Sequence, residues 1–195
     1  QRQMCIRDRY APSRDQEKAK EYLATALSEL GCTVDDLSAH LSIDCGDSPT
    51  SIAEASFYQE QWRQVLGIEV AVNSMITKQG SQNRKTGNYV MSITGWGPDY
   101  NDPNTFLDLW VTDGGNNQTG FSNERYDELI DLASKETDLE KRESYFIECE
   151  QIIADQLPIG PAFWRAPSYA CSDKIKGGMH RSTFQDINAV YVKLS

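Results

Sequence analysis

The residues best suited to bind a ligand lie in one short run, GWGPDYNDP at positions 95–103. Its two glycines and two prolines give an irregular backbone, and its two aromatic side chains offer flat contact area. Asp99 adds a carboxylate that can pair with a bound cation. The run follows a predicted strand and precedes a predicted helix, and ligand sites concentrate in such loops. Residues 95–103 are therefore the candidate site.

A calcium site is one alternative for this run, because Asp99, Asn101 and Asp102 all carry side-chain oxygens. An EF-hand loop beginning at Asp99 would need glycine at position 104 and glutamate at position 110. The sequence has Asn104 and Trp110 at those positions. The spacing argues against calcium, and we predict no metal and no other cofactor.

A hydrolase is a second alternative, with Asp99 and a second carboxylate such as Asp102 as general acid and base. Asp102 has another explanation, because Asp102-Pro103 is a helix start signal in which the aspartate is the N-cap. No nucleophile motif of the G-x-S-x-G kind occurs, and the two histidines, His40 and His180, lie far apart in sequence. We therefore expect a non-catalytic protein and keep the hydrolase as the alternative.

Composition restricts the class of protein further. The 195 residues include 19 basic and 29 acidic side chains, for a formal net charge of −10. So acidic a chain is not expected to bind nucleic acid or an anionic membrane surface. Residues 122–156 carry eleven of the acids and four bases, which favours a solvated outer face over a partner-docking surface.

Cysteine usage does not suggest a dense disulfide framework, because the five cysteines include no C-x-x-C pair. Cys149 falls at a core position of a predicted helix and is expected to be a small buried hydrophobe.

Capping signals and apolar spacing predict five helices. They begin at a Ser13/Gln16 capping box, at Ser48-Pro49, at Asp102-Pro103, at about Asn123 and at a Thr137/Glu140 capping box. The first two end at Gly31 and Gly67, which are helix stop signals. Strands are predicted over Leu37 to Ile43, Ile68 to Val72, Tyr89 to Thr94 and Ala189 to Leu194. Alternating helices and strands predict an α/β fold.

The run at 95–103 and its continuation resemble the C-terminal lobe of oligopeptide-binding proteins, most closely those of Gram-positive bacteria. The matching segments are GWGPDYND at 95–102, PNTFLD at 103–108, GGNN at 114–117 and GFSNERYDELI at 120–130. Proteins of this family are the extracytoplasmic solute receptors of peptide-importing ABC transporters. The resemblance extends over about residues 10–195.

The resemblance implies one lobe of a type II periplasmic-binding-protein-like fold, with a mixed sheet flanked by helices. It implies a monomeric clamshell receptor that encloses an oligopeptide and delivers it to ABC permease subunits in the membrane. The expected location is the periplasm, or the cell surface as a membrane-anchored lipoprotein. Receptors of the same fold also take nickel complexes, sugars or haem, so a non-peptide solute remains an alternative.

The resemblance also assigns the ligand-binding residues, which are Trp96, Gly97, Asp99, Tyr100 and Asn101. The family's aspartate at the position of Asp99 pairs with the α-ammonium group of the peptide, and a buried ammonium needs such a partner. Trp96 and Tyr100 would flank the peptide backbone, with core packing as their alternative. Some relatives carry a larger residue at Gly97, so a roomier site is expected there.

Three segments are expected along the chain. The charges of residues 1–9 do not fit a signal peptide, and these residues resemble the translated adapter scars found at the ends of assembled environmental sequences, so a foreign or disordered tail is expected. Residues 10–165 would form the C-terminal α/β lobe, and residues 166–195 the segment that returns toward a first lobe. Family members are much longer, so we expect a fragment that lacks the N-terminal part and leaves an exposed strand edge.

Overall fold

Helices alternate with strands along the chain in the computed structural model, which describes residues 15–163, 172–177, 180–181, 187–188 and 193–194. The expected tail at residues 1–9, the Ser13 cap, and residues 164–171 and 189–192 lie outside the described residues. The chain divides into two compact units between Gly95 and Trp96. Each unit has its own hydrophobic core.

The first unit is built on a three-stranded parallel sheet in the order β2-β1-β3. Its strands are β1 (Ser42–Gly46), β2 (Ala71–Met75) and β3 (Met91–Ser92), and its helices are α1 (Gln16–Leu30), α2 (Val34–Ser38), α3 (Pro49–Leu66) and α4 (Thr77–Thr86). Parallel strands joined through helices confirm the predicted α/β class. In the register, Asp44 of β1 lies opposite Asn73 of β2 and Ser92 of β3.

Local capping energetics explain where these helices begin and end. Helix α3 has Ser48 as its N-cap and Gly67 in the left-handed region at its C-terminal end, as predicted. Helix α1 ends at Gly31 as predicted, but its N-cap is Asp15 and not Ser13. The Asp15 carboxylate accepts a hydrogen bond from the Lys18 N–H at 2.9 Å, which satisfies one of the free donors of the first turn.

Two strand predictions are displaced along the sequence, and one helix was not predicted. The strand predicted over 37–43 begins only at Ser42, because the Thr33/Asp36 capping box starts the short helix α2 just before it. The strand predicted over 68–72 is found over 71–75. Helix α4 has the polar sequence TKQGSQNRKT, which carries no apolar periodicity from which a helix could be predicted.

The second unit contains α5 (Asn104–Leu107), a 3₁₀ turn (Asp108–Trp110), α6 (Glu124–Lys135) and α7 (Leu139–Gln156). Two short antiparallel pairs follow, β4 (Ile175–Lys176) with β7 (Lys193–Leu194) and β5 (His180–Arg181) with β6 (Ile187–Asn188). The predicted helix at Asn123 is confirmed as α6. The prediction of a Thr137/Glu140 capping box is wrong. Asp138 is the N-cap of α7, and its carboxylate accepts a hydrogen bond from the Lys141 N–H at 3.0 Å.

Helices α6 and α7 supply the core of the second unit from the apolar faces predicted for them. Its buried residues include Tyr126, Leu129, Ile130, Ala133, Phe146, Cys149 and Ile153. Burial raises the pKa of the Cys149 thiol to about 12, so this cysteine is inert at neutral pH and serves as the predicted core hydrophobe. None of the described helices has the length and apolar character that crossing a bilayer requires.

Tyr126 ties α6 to the segment that follows the candidate site. Its side chain is fully buried, its hydroxyl donates a 2.6 Å hydrogen bond to the Leu107 carbonyl, and its ring meets Phe121 edge-on at 5.5 Å. Burial raises the pKa of the phenol far above its ordinary value, so the hydroxyl stays protonated as a donor.

We predict that Tyr126→Phe lowers the free energy of unfolding by about 0.5–1.5 kcal/mol, because it removes the buried hydrogen bond from the Tyr126 hydroxyl to the Leu107 carbonyl. Urea denaturation followed by circular dichroism measures the change. Tyr22→Phe is the matched control, since Tyr22 is exposed on α1 and its replacement should have no measurable effect. Equal stabilities of the two variants would contradict the prediction.

Candidate functional site

An ion pair anchors the loop at 95–103 to helix α7. The guanidinium of Arg142 donates two parallel hydrogen bonds to the Asp102 carboxylate, from Nη1 to Oδ2 at 2.6 Å and from Nη2 to Oδ1 at 2.9 Å. Both side chains are largely buried, with 23% and 27% of their surfaces exposed. A bidentate pair of this kind fixes distance and orientation together.

Arg142 is itself fixed by two further contacts. Its Nε donates a 2.9 Å hydrogen bond to the Ala133 carbonyl near the end of α6, and its guanidinium lies 4.6 Å from the centre of the Phe146 ring. One side chain therefore joins the loop, α6 and the core face of α7.

Asp102 has a different role from the one predicted. The N-cap position of α5 is Pro103, although the Asp102 Oδ1 still accepts the Asn104 N–H at 2.9 Å. The hydrogen bonds from Arg142 hold the pKa of Asp102 below its ordinary value, against the opposing effect of burial. The Asp102 carboxylate is therefore engaged in an ion pair with Arg142. This argues against Asp102 as the second catalytic carboxylate of the alternative hydrolase.

We predict that Asp102→Asn lowers the free energy of unfolding by roughly 1.5–3 kcal/mol at neutral pH, because it removes charge-assisted hydrogen bonds from a largely buried site. Because folding depresses the pKa of Asp102, this contribution is complete above the ordinary aspartate pKa of about 3.9. It is lost as the pH falls through the lower value of the folded chain. Denaturation at neutral pH and at acidic pH measures both effects.

Asp131→Asn is the control for this prediction, because the Asp131 pair with Lys135 is a mostly exposed pair one helical turn apart. Its loss should cost at most about 0.5 kcal/mol. A stability difference between wild type and Asp102→Asn that does not shrink at acidic pH would contradict the assignment.

Asp99 presents its carboxylate to solvent from a fixed backbone. The side chain is exposed, while its own N–H donates a 3.0 Å hydrogen bond to the hydroxyl of the buried Thr105. Asn101, the next polar candidate, is also exposed. The side chains of Asp99 and Asn101 therefore face solvent, while the backbone of the loop is hydrogen-bonded to the buried Thr105.

The two aromatic candidates lie at the surface. Trp96 is 44% exposed and Tyr100 is 41% exposed, so neither is a core residue, and the core-packing alternative for them is wrong. Both rings keep accessible surface that a ligand could cover.

Tyr100 is oriented by two residues that were not predicted. Its hydroxyl donates to the Asp108 carboxylate at 3.2 Å and accepts from the Asn104 side-chain amide at 3.0 Å. Partial burial raises the pKa of Tyr100, and the charge of Asp108 adds to the effect. The spacing of Asn104 and Asp108, one turn apart just after the motif, was the only available signal for this contact.

Gly97 lies beside open space, and the roomier site expected there stays a prediction. A Cβ atom built on Gly97 would meet no atom within 4 Å. Gly114, in the loop after the 3₁₀ turn, differs, because a Cβ there would lie 2.8 Å from Cγ2 and 3.0 Å from the carbonyl oxygen of Val111.

We predict that Gly97→Ala changes the free energy of unfolding by at most about 1 kcal/mol. Gly114→Ala should destabilise the chain by about 1–3 kcal/mol, because the added methyl group overlaps Val111. Thermal denaturation of the two variants side by side is the measurement. A larger loss for Gly97→Ala than for Gly114→Ala would show that the space beside Gly97 is filled.

Metal coordination has no support among the described residues, where no group of three or more His, Cys, Asp or Glu side chains could hold an ion.

The fold is of the α/β class, and comparison with known proteins identifies the family of the chain. The family model "Bacterial extracellular solute-binding proteins, family 5 Middle" matches residues 6–118. The chain therefore belongs to the bacterial extracellular solute-binding proteins of family 5. This family is extracytoplasmic and consists of solute-binding proteins, which confirms the expected compartment class and the expected absence of catalysis.

Individual relatives agree with the family. The chain is 34% identical over 176 residues to the oligopeptide-binding protein OppA of Bacillus subtilis, covering 86% of this chain and 31% of that protein. It is 33% identical over 187 residues to a dipeptide-binding protein of Lactococcus lactis, covering 93% of this chain and 34% of the relative.

Among solved structures, Listeria monocytogenes OppA bound to peptide superposes with a TM-score of 0.77 at 29% identity. The match covers 93% of this chain and 34% of that structure, and it confirms the expected binding-protein fold. The chain thus spans about one third of the length of these relatives.

Proposed function

We propose that this chain is part of the peptide-binding receptor of an ABC importer, and that the ligand contacts Trp96, Gly97, Asp99, Tyr100 and Asn101. The observation that carries the proposal is the exposed Asp99 carboxylate on an anchored backbone, next to an aspartate whose charge is already taken by Arg142. The relatives are named for oligopeptide and dipeptide binding, which supports the same ligand class.

Asp99 would pair with the α-ammonium group of the peptide. Every peptide with a free amino terminus has this group, so the contact gives affinity without selecting a sequence. The pair gains strength when a second protein surface closes over it and excludes water. A receptor that imports mixed peptides as nutrients needs this combination.

The neighbours of Asp99 complete the proposed site. Trp96 and Tyr100 would contribute aromatic area against the peptide backbone at little entropic cost. Asn101 supplies an exposed amide for backbone hydrogen bonds, and the space beside Gly97 accommodates the first residue of the ligand. Asn104 and Asp108 hold the Tyr100 hydroxyl and so act as positioning residues.

The wider assembly is also a proposal. Residues 10–165 would act as the C-terminal lobe of a monomeric clamshell receptor, with residues 166–195 returning toward a first lobe. The closed receptor would deliver its peptide to ABC permease subunits in the membrane. Relatives about three times as long have room for the opposing lobe.

We predict that Asp99→Asn, in a full-length receptor carrying this sequence, costs about 2–5 kcal/mol of binding free energy, because the peptide ammonium is then buried without its charge partner. Isothermal titration calorimetry with a tripeptide measures the loss. Acetylation of the amino terminus should weaken binding to the wild type by a similar amount and should have little further effect on the variant.

Asp113→Asn is the matched control, because Asp113 is an exposed acid of the same unit and its positive φ suits asparagine. Its peptide affinity should equal that of the wild type. Unchanged affinity of Asp99→Asn for a peptide with a free amino terminus would remove Asp99 from the site.

A further inference from the structure

A second carboxylate, Asp44, lies in an unusual position in the first unit. It occupies the centre of β1 with 4% of its surface exposed, and its neighbours in the strand, Ile43 and Cys45, point into the hydrophobic core. Since successive side chains of a strand alternate between faces, Asp44 lies on the opposite face of the sheet. Buried aspartates are rare unless a cation compensates their charge.

The Asp44 carboxylate is held by amides and not by a cation. Asn73 Nδ2 lies 3.2 Å from Oδ1 and Asn83 Nδ2 lies 3.3 Å from Oδ2. Asp44 forms no ion pair with any residue that the structure describes. The nearby Arg84 points its Nη1 at the Ser92 hydroxyl, 3.3 Å away. A carboxylate has about four acceptor positions, so this one keeps capacity for a charged donor.

Asp44 is one of the residues that line an open cleft, into which it exposes a small part of its surface. The cleft has a volume of about 420 Å³, and its walls include Ser42, Asp44, Asn73, Met75, Asn83 and Tyr89. This volume falls within the range of small-molecule sites, about 300–1,000 Å³, and the walls are mainly polar. All of these residues belong to the first unit, so the Asp44 cleft is complete within it.

The walls favour one kind of cation. The thioether of Met75 and the ring of Tyr89 offer surface to an alkyl chain, while Asp44 and the Ser42 hydroxyl can accept hydrogen bonds from its charged end. Asn83 is fixed in its orientation, because its Oδ1 accepts from Gln79 at 2.8 Å while its Nδ2 faces Asp44 and the Met75 sulfur. A primary ammonium on an aliphatic stem matches this arrangement.

We propose that the Asp44 cleft is a binding site for an alkylammonium group, such as the side chain of lysine or one end of a diamine. Asp44 pairs with the ammonium, Ser42 accepts a second hydrogen bond from it, and Met75 and Tyr89 cover the stem. The site is independent of the proposed peptide contact at Asp99, because no residue is shared.

The test titrates the 195-residue chain with N-acetyl-lysine amide and with N-acetyl-norleucine amide, its uncharged counterpart. Neither probe has an α-ammonium or a carboxylate, so neither engages Asp99 as proposed above. Calorimetry should show the lysine probe binding about tenfold tighter or more, as expected for a charge-assisted hydrogen bond. Asp44→Asn should remove this preference, while Asp47→Asn, an exposed acid just after β1, and Asp99→Asn should keep it.

A second readout needs no variant. In ¹H–¹⁵N spectra of the wild type, the side-chain amide signals of Asn73 and Asn83 should shift with the lysine probe and not with the norleucine probe. Equal affinities for the two probes, unshifted amide signals, or a preference that survives in Asp44→Asn would each overturn the proposal.

The source of the ammonium is decided by a third titration, with 1,5-diaminopentane. Tighter binding of the diamine than of the lysine probe identifies a free amine as the ligand, and the reverse order identifies a lysine side chain carried on a backbone. Both orders support the site. If these tests overturn the Asp44 proposal, the Asp99 proposal is unaffected, since the two sites are tested with different ligands.

Discussion

The paired charges of Asp102 and Arg142 are the interaction on which the second unit's candidate site depends. A guanidinium that binds one carboxylate bidentately, caps a helix carbonyl and covers an aromatic ring cannot move without disturbing all three contacts. Because Asp102 is held from the side of α7, the loop before it is fixed at one end. Asp99, three residues earlier, presents its carboxylate from a backbone that is itself hydrogen-bonded to the buried Thr105.

Asp99 and Asp102 are close in sequence, but only one of them keeps its charge for a ligand. Their surroundings determine which one. Asp102 is largely buried and its charge is neutralised by a partner within the protein, whereas Asp99 is exposed and its charge is available. A binding protein needs this division, because a ligand can be gripped only by groups that the fold does not already use. Asp44 represents a third case, a buried carboxylate beside an open cleft with amides for partners.

Much of the fold was predictable, because capping and amphipathic spacing act locally. Ser48, Gly67 and Asn123 mark helix ends where expected, and the core positions of α6 and α7 follow their apolar spacing. Errors arose where two local signals competed, as at Asp15 against Ser13, Asp138 against Thr137, and the Thr33/Asp36 box against a β-rich run. The polar helix α4 gave no periodic signal at all, and its contacts with the sheet include hydrogen bonds from Asn83 to Asp44 and from Arg84 to Ser92.

The sequence by itself determined the family, the α/β class and the run that contains the candidate site, because these depend on residue types at short spacing. Tertiary structure decided which of those residues are available to bind a ligand. Arg142 lies 40 residues from Asp102, and Asn73 and Asn83 lie 29 and 39 residues from Asp44. No local pattern encodes such pairings, since they exist only after the helices and strands pack. The charge that each carboxylate keeps for a ligand is therefore a property of the folded chain.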